Sequence, residues 1–359
     1  MMKKIRFFLI VPLLASALAG CGDILYFSKL GWHQGAMSFN SVPVEEVLRN
    51  GGMSAEAEEK IRFIQEVKRY GEERLGLKPT QSYSTFLEVK GPMLYVITAC
   101  EKDRLQPYSW NFPVIGQVTY KSFFTREDAV NEKTSLDNKG YDTYTQRAGA
   151  YSTLGWLKDP ILSSMLERDH ASLANLILHE MTHTTIYFKG MTDFNEQVAT
   201  FIGNQGAIDF LTEKFGAESS EVADAKEMRE DDLVFGRWIE QAFRRLGDFY
   251  EKEISKDEKL RGREVLFHSL KEEFKEVKPR LRTETYTRFE RVSLNNAVLL
   301  AFRRYVHRLG NFEPVYDYLG KDLARVVDFL KWIQASGEDP PSYLDRWMKA
   351  KGVSVPASP

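Results

Sequence analysis

Asp169-His170-Ala171-Ser172-Leu173-Ala174-Asn175-Leu176-Ile177-Leu178-His179-Glu180-Met181-Thr182-His183 is followed, after a break at Lys189-Gly190-Met191-Thr192-Asp193, by Phe194-Asn195-Glu196. Asp169 is a capping residue, and the apolar positions after it recur at helical spacing, so a helix is expected to run through both histidines. Leu176, His179, His183 and Tyr187 share one face of that pattern. From Phe194 a second helical pattern places Glu196, Ala199, Thr200, Gly203 and Ala207 along one face, small everywhere except at the carboxylate. Small side chains let two helices approach closely, and a short connection makes them antiparallel. The second helix is therefore expected to carry Glu196 back to the histidines.

That juxtaposition has a chemistry. Histidines at i and i+4 project from one helix face and can hold one metal ion together, and neutral imidazole nitrogens with a carboxylate oxygen suit zinc. His179, His183 and Glu196 are the expected ligands. Three protein ligands leave a fourth position for water, and Glu180, beside the histidines, is the expected general base. The chain has only six histidines, and two fall at this spacing. Structural zinc sites favour closed sets rich in cysteine, and no cysteine lies near this motif.

At the other end, Lys3, Lys4 and Arg6 precede an apolar run from Phe7 to Gly20 that closes as Leu18-Ala19-Gly20-Cys21. This reads as a secretory signal peptide over 1–20 with a lipobox, which makes Cys21 the acylated first residue of the mature protein. The run is too short for a permanent span, so the membrane is reached through acyl chains on Cys21. Gly22 rather than Asp follows Cys21, which places the protein at the outer membrane, facing the periplasm, if the source is Gram-negative. The only other cysteine, Cys100, then has no internal partner.

About 340 residues after the leader suffice for a large core, and 43% hydrophobic and 13% aromatic residues are ordinary globular values. A formal charge of −2 argues against a nucleic-acid partner. Residues 21–359 are read as one lipid-anchored unit. It has a helical part over 21–80, a sheet-containing part over 82–168 and a helical part over 169–359 that carries the metal site. In the first, Leu25 to Met37 is a short helix on the body, and Ser54 to Gly76 is an amphipathic helix through Ile61, Ile64, Val67 and Tyr70. Short strands are expected at 93–98, 116–120 and 141–145, and helix breaks at Lys278-Pro279, Gly310-Asn311 and Pro340-Pro341. The expected fold class is α+β, mostly helical.

Further segments carry a resemblance. Phe112-Pro113-Val114 with Gly116, Ala150-Tyr151-Ser152-Thr153-Leu154-Gly155-Trp156 with Asp159-Pro160, and Leu294-Asn295-Asn296-Ala297 with Tyr305 are similar to recurring segments of the bacterial "putative aminopeptidase" lipoprotein family. That family also carries a lipobox, an HExxH helix and a Phe-Asn-Glu segment, and the likeness runs from about Cys21 to about residue 320. It implies His179, His183 and Glu196 as zinc ligands, Glu180 as the catalytic carboxylate, and peptide-bond hydrolysis in the cell envelope, with aminopeptidase action favoured. Lys121-Ser122, where relatives tend to have Arg-Gly, is a departure that touches no expected ligand.

A peptidase also needs a donor for the developing oxyanion, for which Tyr151, Tyr187 and Tyr305 are the candidates, and contacts to the peptide backbone, for which Asn295 is one. Tyr151 lies in an alternating segment that an extended peptide could pair with as an edge strand. His268 is expected in the core, with transition-state stabilisation as its alternative. His33, His170 and His307 are read as peripheral, and Glu230-Asp231-Asp232 as a solvated helix surface. The competing function is an envelope lipoprotein that binds a partner and keeps a non-catalytic metal site.

Overall fold

Apolar residues at helical spacing dominate the second half of the chain. The computed structural model, which describes residues 21–91, 94–112, 116–148 and 158–353, folds that half into helices around a small amount of sheet. The fold is α+β and mostly helical, as the patterning requires.

Helix α1 (Cys21–Asn40) lies on the body, and a short strand β1 (Val42–Pro43) and helix α2 (Val44–Asn50) lead to α3 (Ala55–Glu73). Helix α3 starts where expected, since the Ser54 side chain accepts from the Ala57 amide, and Gly76 follows it with φ +66°. Strands β2 (Thr85–Leu87), β3 (Leu94–Cys100), β4 (Trp110–Phe112), β5 (Gly116–Val118), β6 (Lys121–Phe123), β7 (Asp142–Ala148) and β8 (Ile161–Leu162) make three small sheets, with helix α4 (Arg126–Asn138) between β6 and β7. Strand β3 is central to one sheet, antiparallel to β6 and β7, while β4 and β5 pair as a hairpin and β2 joins β1 and β8.

Two sequence expectations change here. The strand expected over 116–120 stops at Val118 as β5, and Thr119 and Tyr120 turn the chain into a further short strand, β6. Helix α4 was not foreseen among the strands. It is polar, buries only Ala129 and Leu136, and starts at Thr125, whose side chain accepts from the Asp128 amide. Its identity comes from its cap rather than from an apolar stripe.

The helical half runs α5 (His170–Thr185), α6 (Thr192–Phe215), α7 (Ser220–Tyr250), α8 (Lys256–Val277), α9 (Asn296–Val306), α10 (Glu313–Tyr318), α11 (Leu323–Ser336) and α12 (Pro340–Lys351). Helices α5 and α6 are the centre of the main core, packed by α3, α7 and α11. Leu173, Ile177, Leu178 and Met181 of α5 are fully buried, each contributing about 1.5–3 kcal/mol of apolar transfer. Helix α9 packs on the β3–β7 sheet and on α6 and α7, joining the sheet to the helical half. Among the described residues, no helix is long and apolar enough to cross a membrane.

Candidate metal centre

Helix α5 begins at Asp169, whose carboxylate accepts from the Ser172 amide at 2.7 Å, as its sequence requires. It ends at Thr185, so Tyr187 lies beyond the helix and not on the histidine face. The chain then turns through Gly190, where φ is +77°, into α6. Asn195 clamps that turn: its Oδ1 accepts from the Phe188 amide and its Nδ2 donates to the Phe188 carbonyl, both at 2.8 Å. The residue after this clamp is Glu196.

Close approach of α5 and α6 depends on two glycines. A Cβ on Gly203 would lie 3.0 Å from the Asn175 carbonyl oxygen and 3.2 Å from the His179 Cβ, and one on Gly206 would lie 2.8 Å from Leu178 Cδ1. The small face of α6 meets α5 at the level of the first histidine. Behind it, Asn175 donates to Asn204 Oδ1 at 2.5 Å, and Asn204 donates to Asp232 Oδ2 at 2.7 Å, tying α5, α6 and α7 together.

The result is a tight triangle of donors. Glu196 Oε2 lies 3.3 Å from His179 Nε2 and 3.4 Å from His183 Nε2, and the two nitrogens are 3.2 Å apart. All three candidate ligand atoms lie within 4.8 Å of one another, so His179, His183 and Glu196 could hold a metal ion. Burial disfavours a charged His183, yet the adjacent Glu196 carboxylate outweighs it and raises the imidazole pKa. Burial pushes Glu196 up, and the two imidazoles overcome this, holding it far below the usual carboxylate range. Glu180, half-buried, is close enough for its charge to act on His183, Tyr83, Tyr120 and Tyr305.

Tyr305, on the last turn of α9, has its ring 6.4 Å from that of His179. Burial, then the Glu196 charge, raises its pKa, so its hydroxyl stays protonated and can donate. Tyr120, from the β5–β6 turn, donates to Glu196 Oε1 at 3.4 Å, and its pKa is raised by burial and by the same carboxylate. Sequence patterning missed Tyr120 and Tyr83 as neighbours of the site. Tyr120 sits in what looks like an ordinary strand, and Tyr83, buried with φ +64°, gives only its aromatic character. Arg304, 2% exposed, lies under Tyr120, with its Cζ 4.9 Å from the ring centroid. It donates to Thr98 Oγ1 at 3.3 Å and to the Thr119 carbonyl at 3.2 Å.

The remaining expected residues are dispersed. Burial, then Glu196, raises the pKa of Tyr187, whose amide donates to Gln334 Oε1 at 2.8 Å. Asn295 is the N-cap of α9: its Oδ1 accepts from the Val298 amide and its Nδ2 donates to the Thr143 carbonyl. It sits ten residues, about 15 Å along the helix, from Tyr305. Tyr151 lies outside the described residues.

Three expectations are corrected: His268 in the core, His307 at the periphery and Asp231 on a solvated surface. His268 is exposed, because Phe267 and Leu270 take the buried face of α8. His307 is buried, with Nδ1 2.6 Å from Glu240 Oε2 and Nε2 2.9 Å from Arg303 Nη2. Asp231 is fully buried rather than solvated, since it accepts from the Arg282 and Thr283 amides and the Thr283 hydroxyl.

No curated protein and no solved structure matches the chain. Residues 25–340, nearly all of the sequence and all of the donor triangle with its tyrosines, match the family described as Putative aminopeptidase, and the chain belongs to that family.

Proposed function

We propose that the protein is a zinc-dependent peptidase of the cell envelope that hydrolyses peptide bonds, with aminopeptidase action as its mode. The observation that carries this is the triangle of two imidazole nitrogens and one carboxylate oxygen with edges of 3.2–3.4 Å. An ion bonded at 2.0–2.1 Å in tetrahedral geometry requires ligand atoms about 3.3 Å apart, so the donor set fits zinc in number, type and spacing. When bound, zinc supplies Lewis acidity and an open position for water.

The other steps fall to the chain's own groups. The Glu180 carboxylate, not needed as a ligand, accepts the proton of the attacking water and delivers it to the leaving amine nitrogen. Tyr305 keeps its hydroxyl proton and can donate to the oxygen on which negative charge develops, while Tyr120 donates to Glu196. Asn195 and Gly203 hold Glu196 against the histidines, which fixes the geometry before any substrate arrives. Acylation of Cys21 would attach the enzyme to a membrane of the cell envelope, the outer membrane facing the periplasm if the source is Gram-negative.

Metal analysis of purified protein is the first test. About one zinc per chain is expected, lost in His183→Ala and kept in Glu180→Gln, while the latter loses about 10²–10⁴-fold in kcat. Metal-free wild-type protein, or full turnover by Glu180→Gln, overturns the proposal. Hydrolysis of free-amine but not N-blocked peptides is expected, and cleavage of blocked peptides alone rules out aminopeptidase action.

A further inference from the structure

Helix α1 has two unlike faces. Its inner face is pinned to the body. The Tyr26 hydroxyl donates to the Ser122 carbonyl at 3.0 Å, the Tyr26 ring stacks 5.7 Å from Phe112, and the His33 ring lies 5.0 Å from Phe124. Gln34 and Met37 are buried on the same side. Its outer face carries Trp32, 77% exposed, and Phe39, 90% exposed, seven residues apart and hence on one stripe. Gly31 and Gly35 flank Trp32 with open space where a Cβ would stand.

Charge is missing from this surface. Between residues 26 and 40 the only ionised side chain is Lys29, and it is 2.5 Å from Asp128 of α4. A helix face meant for water normally carries charges, and two bare aromatics at this exposure cost solvation with no folded-state return. Tryptophan and phenylalanine on an uncharged face are what an interfacial helix presents to the boundary between headgroups and acyl chains. Cys21 is on the same helix, so Trp32 lies about 16 Å and Phe39 about 27 Å along the axis from that residue.

We infer that the outer face of α1 lies on the bilayer surface, with Trp32 and Phe39 inserted at the headgroup level. The inference rests on the proposed acylation of Cys21. The acyl chains bring the helix to the membrane, and the two aromatics then fix the orientation of the body above it. The contact is apolar rather than ionic, so it does not require anionic lipid and is insensitive to salt.

The test uses the full lipidated chain reconstituted in vesicles of phosphatidylethanolamine and phosphatidylglycerol. Cys100 is buried and Cys21 would be acylated, so Trp32→Cys, Phe39→Cys and a control, Val265→Cys on the exposed face of α8, each present one reactive thiol for a fluorophore. Quenching by spin-labelled lipid is expected to be at least about threefold stronger at 32 and 39 than at 265, and unchanged in high salt. Equal quenching at the three sites on vesicle-bound protein overturns the inference and leaves acylation standing. Protein that washes off the vesicles and carries no acyl mass on Cys21 overturns the acylation reading, and the inference with it. Dimers in detergent that dissociate on Trp32→Ala with Phe39→Ala assign the face to a second copy and also overturn it.

Discussion

Glu196 is a buried carboxylate whose neighbours decide whether it is tolerable. The Tyr120 hydroxyl and two imidazoles surround it, and the imidazoles overcome the burial that would otherwise favour its protonated form. The same crowding separates the roles of the two tyrosines. Tyr120 already spends its proton on Glu196 Oε1, whereas Tyr305 lies tilted beside the His179 ring with a hydroxyl raised out of its ordinary titration range. Tyr305→Phe is therefore expected to lower kcat by about 10²-fold with zinc retained and KM little changed, and Tyr120→Phe to cost less. Steady-state kinetics with parallel metal analysis measures this, and a larger loss in Tyr120→Phe reverses the assignment. Asn195 acts on the ligand from one residue away. Asn195→Ala should weaken metal retention about 10–100-fold without removing a ligand, as read by competition with a chelator.

Helices α5 and α6 show what was legible in the sequence and why. Both histidines, the Asp169 cap, the glycine turn and the small face of α6 are local signals, and one short connection brings them together, so the meeting of His179, His183 and Glu196 is legible in the sequence. Tyr120 and Tyr83 arrive from a β-turn and from the stretch before β2, and nothing in their own neighbourhoods marks that arrival. The Asp231 and His307 misreadings have the same origin. Polar residues beside charged neighbours look solvated until a distant loop or helix turns up with the matching partners. The glycines give a test of the helix pair. Gly203→Ala must displace the Asn175 carbonyl or the His179 Cβ, so it is expected to destabilise by about 1–3 kcal/mol and to weaken metal binding. Gly31→Ala in α1 meets nothing and should stabilise the helix by about 0.5–1 kcal/mol. Denaturant melts of the two variants should move in opposite directions, and a Gly203→Ala protein that melts and binds metal like wild type removes the close-packing argument.

Stability against acid depends on how α9 is locked to α7. The Glu240 carboxylate of α7 takes the Arg303 Nε at 2.9 Å and the His307 Nδ1 at 2.6 Å, at the end of the helix that carries Arg304 and Tyr305. Burial pushes Glu240 up, but the His307 hydrogen bond and the Arg303 charge bring it down to about 2. His307 is also lowered, because burial and the neighbouring arginines outweigh Glu240, so it sits neutral with Nδ1–H donating and Nε2 accepting from Arg303. Both folded-state values lie below their ordinary ones of 4.5 and 6.5, so the unfolded chain takes up these protons first as pH falls. The stabilisation is thus complete above pH 6.5, starts to decline as His307 is drawn toward protonation, and is lost through Glu240 between about pH 4.5 and 2. Glu240 is partly exposed, so its share is about 1–2 kcal/mol rather than the full value of the shift. Glu240→Gln should lower the thermal midpoint at pH 7 and flatten its fall below pH 4.5, measured by calorimetry on metal-free wild type and variant across the range from pH 7 to about 3. Parallel acid limbs for wild type and variant would show that this lock contributes nothing, and would leave the acid sensitivity to the buried carboxylates elsewhere in the fold.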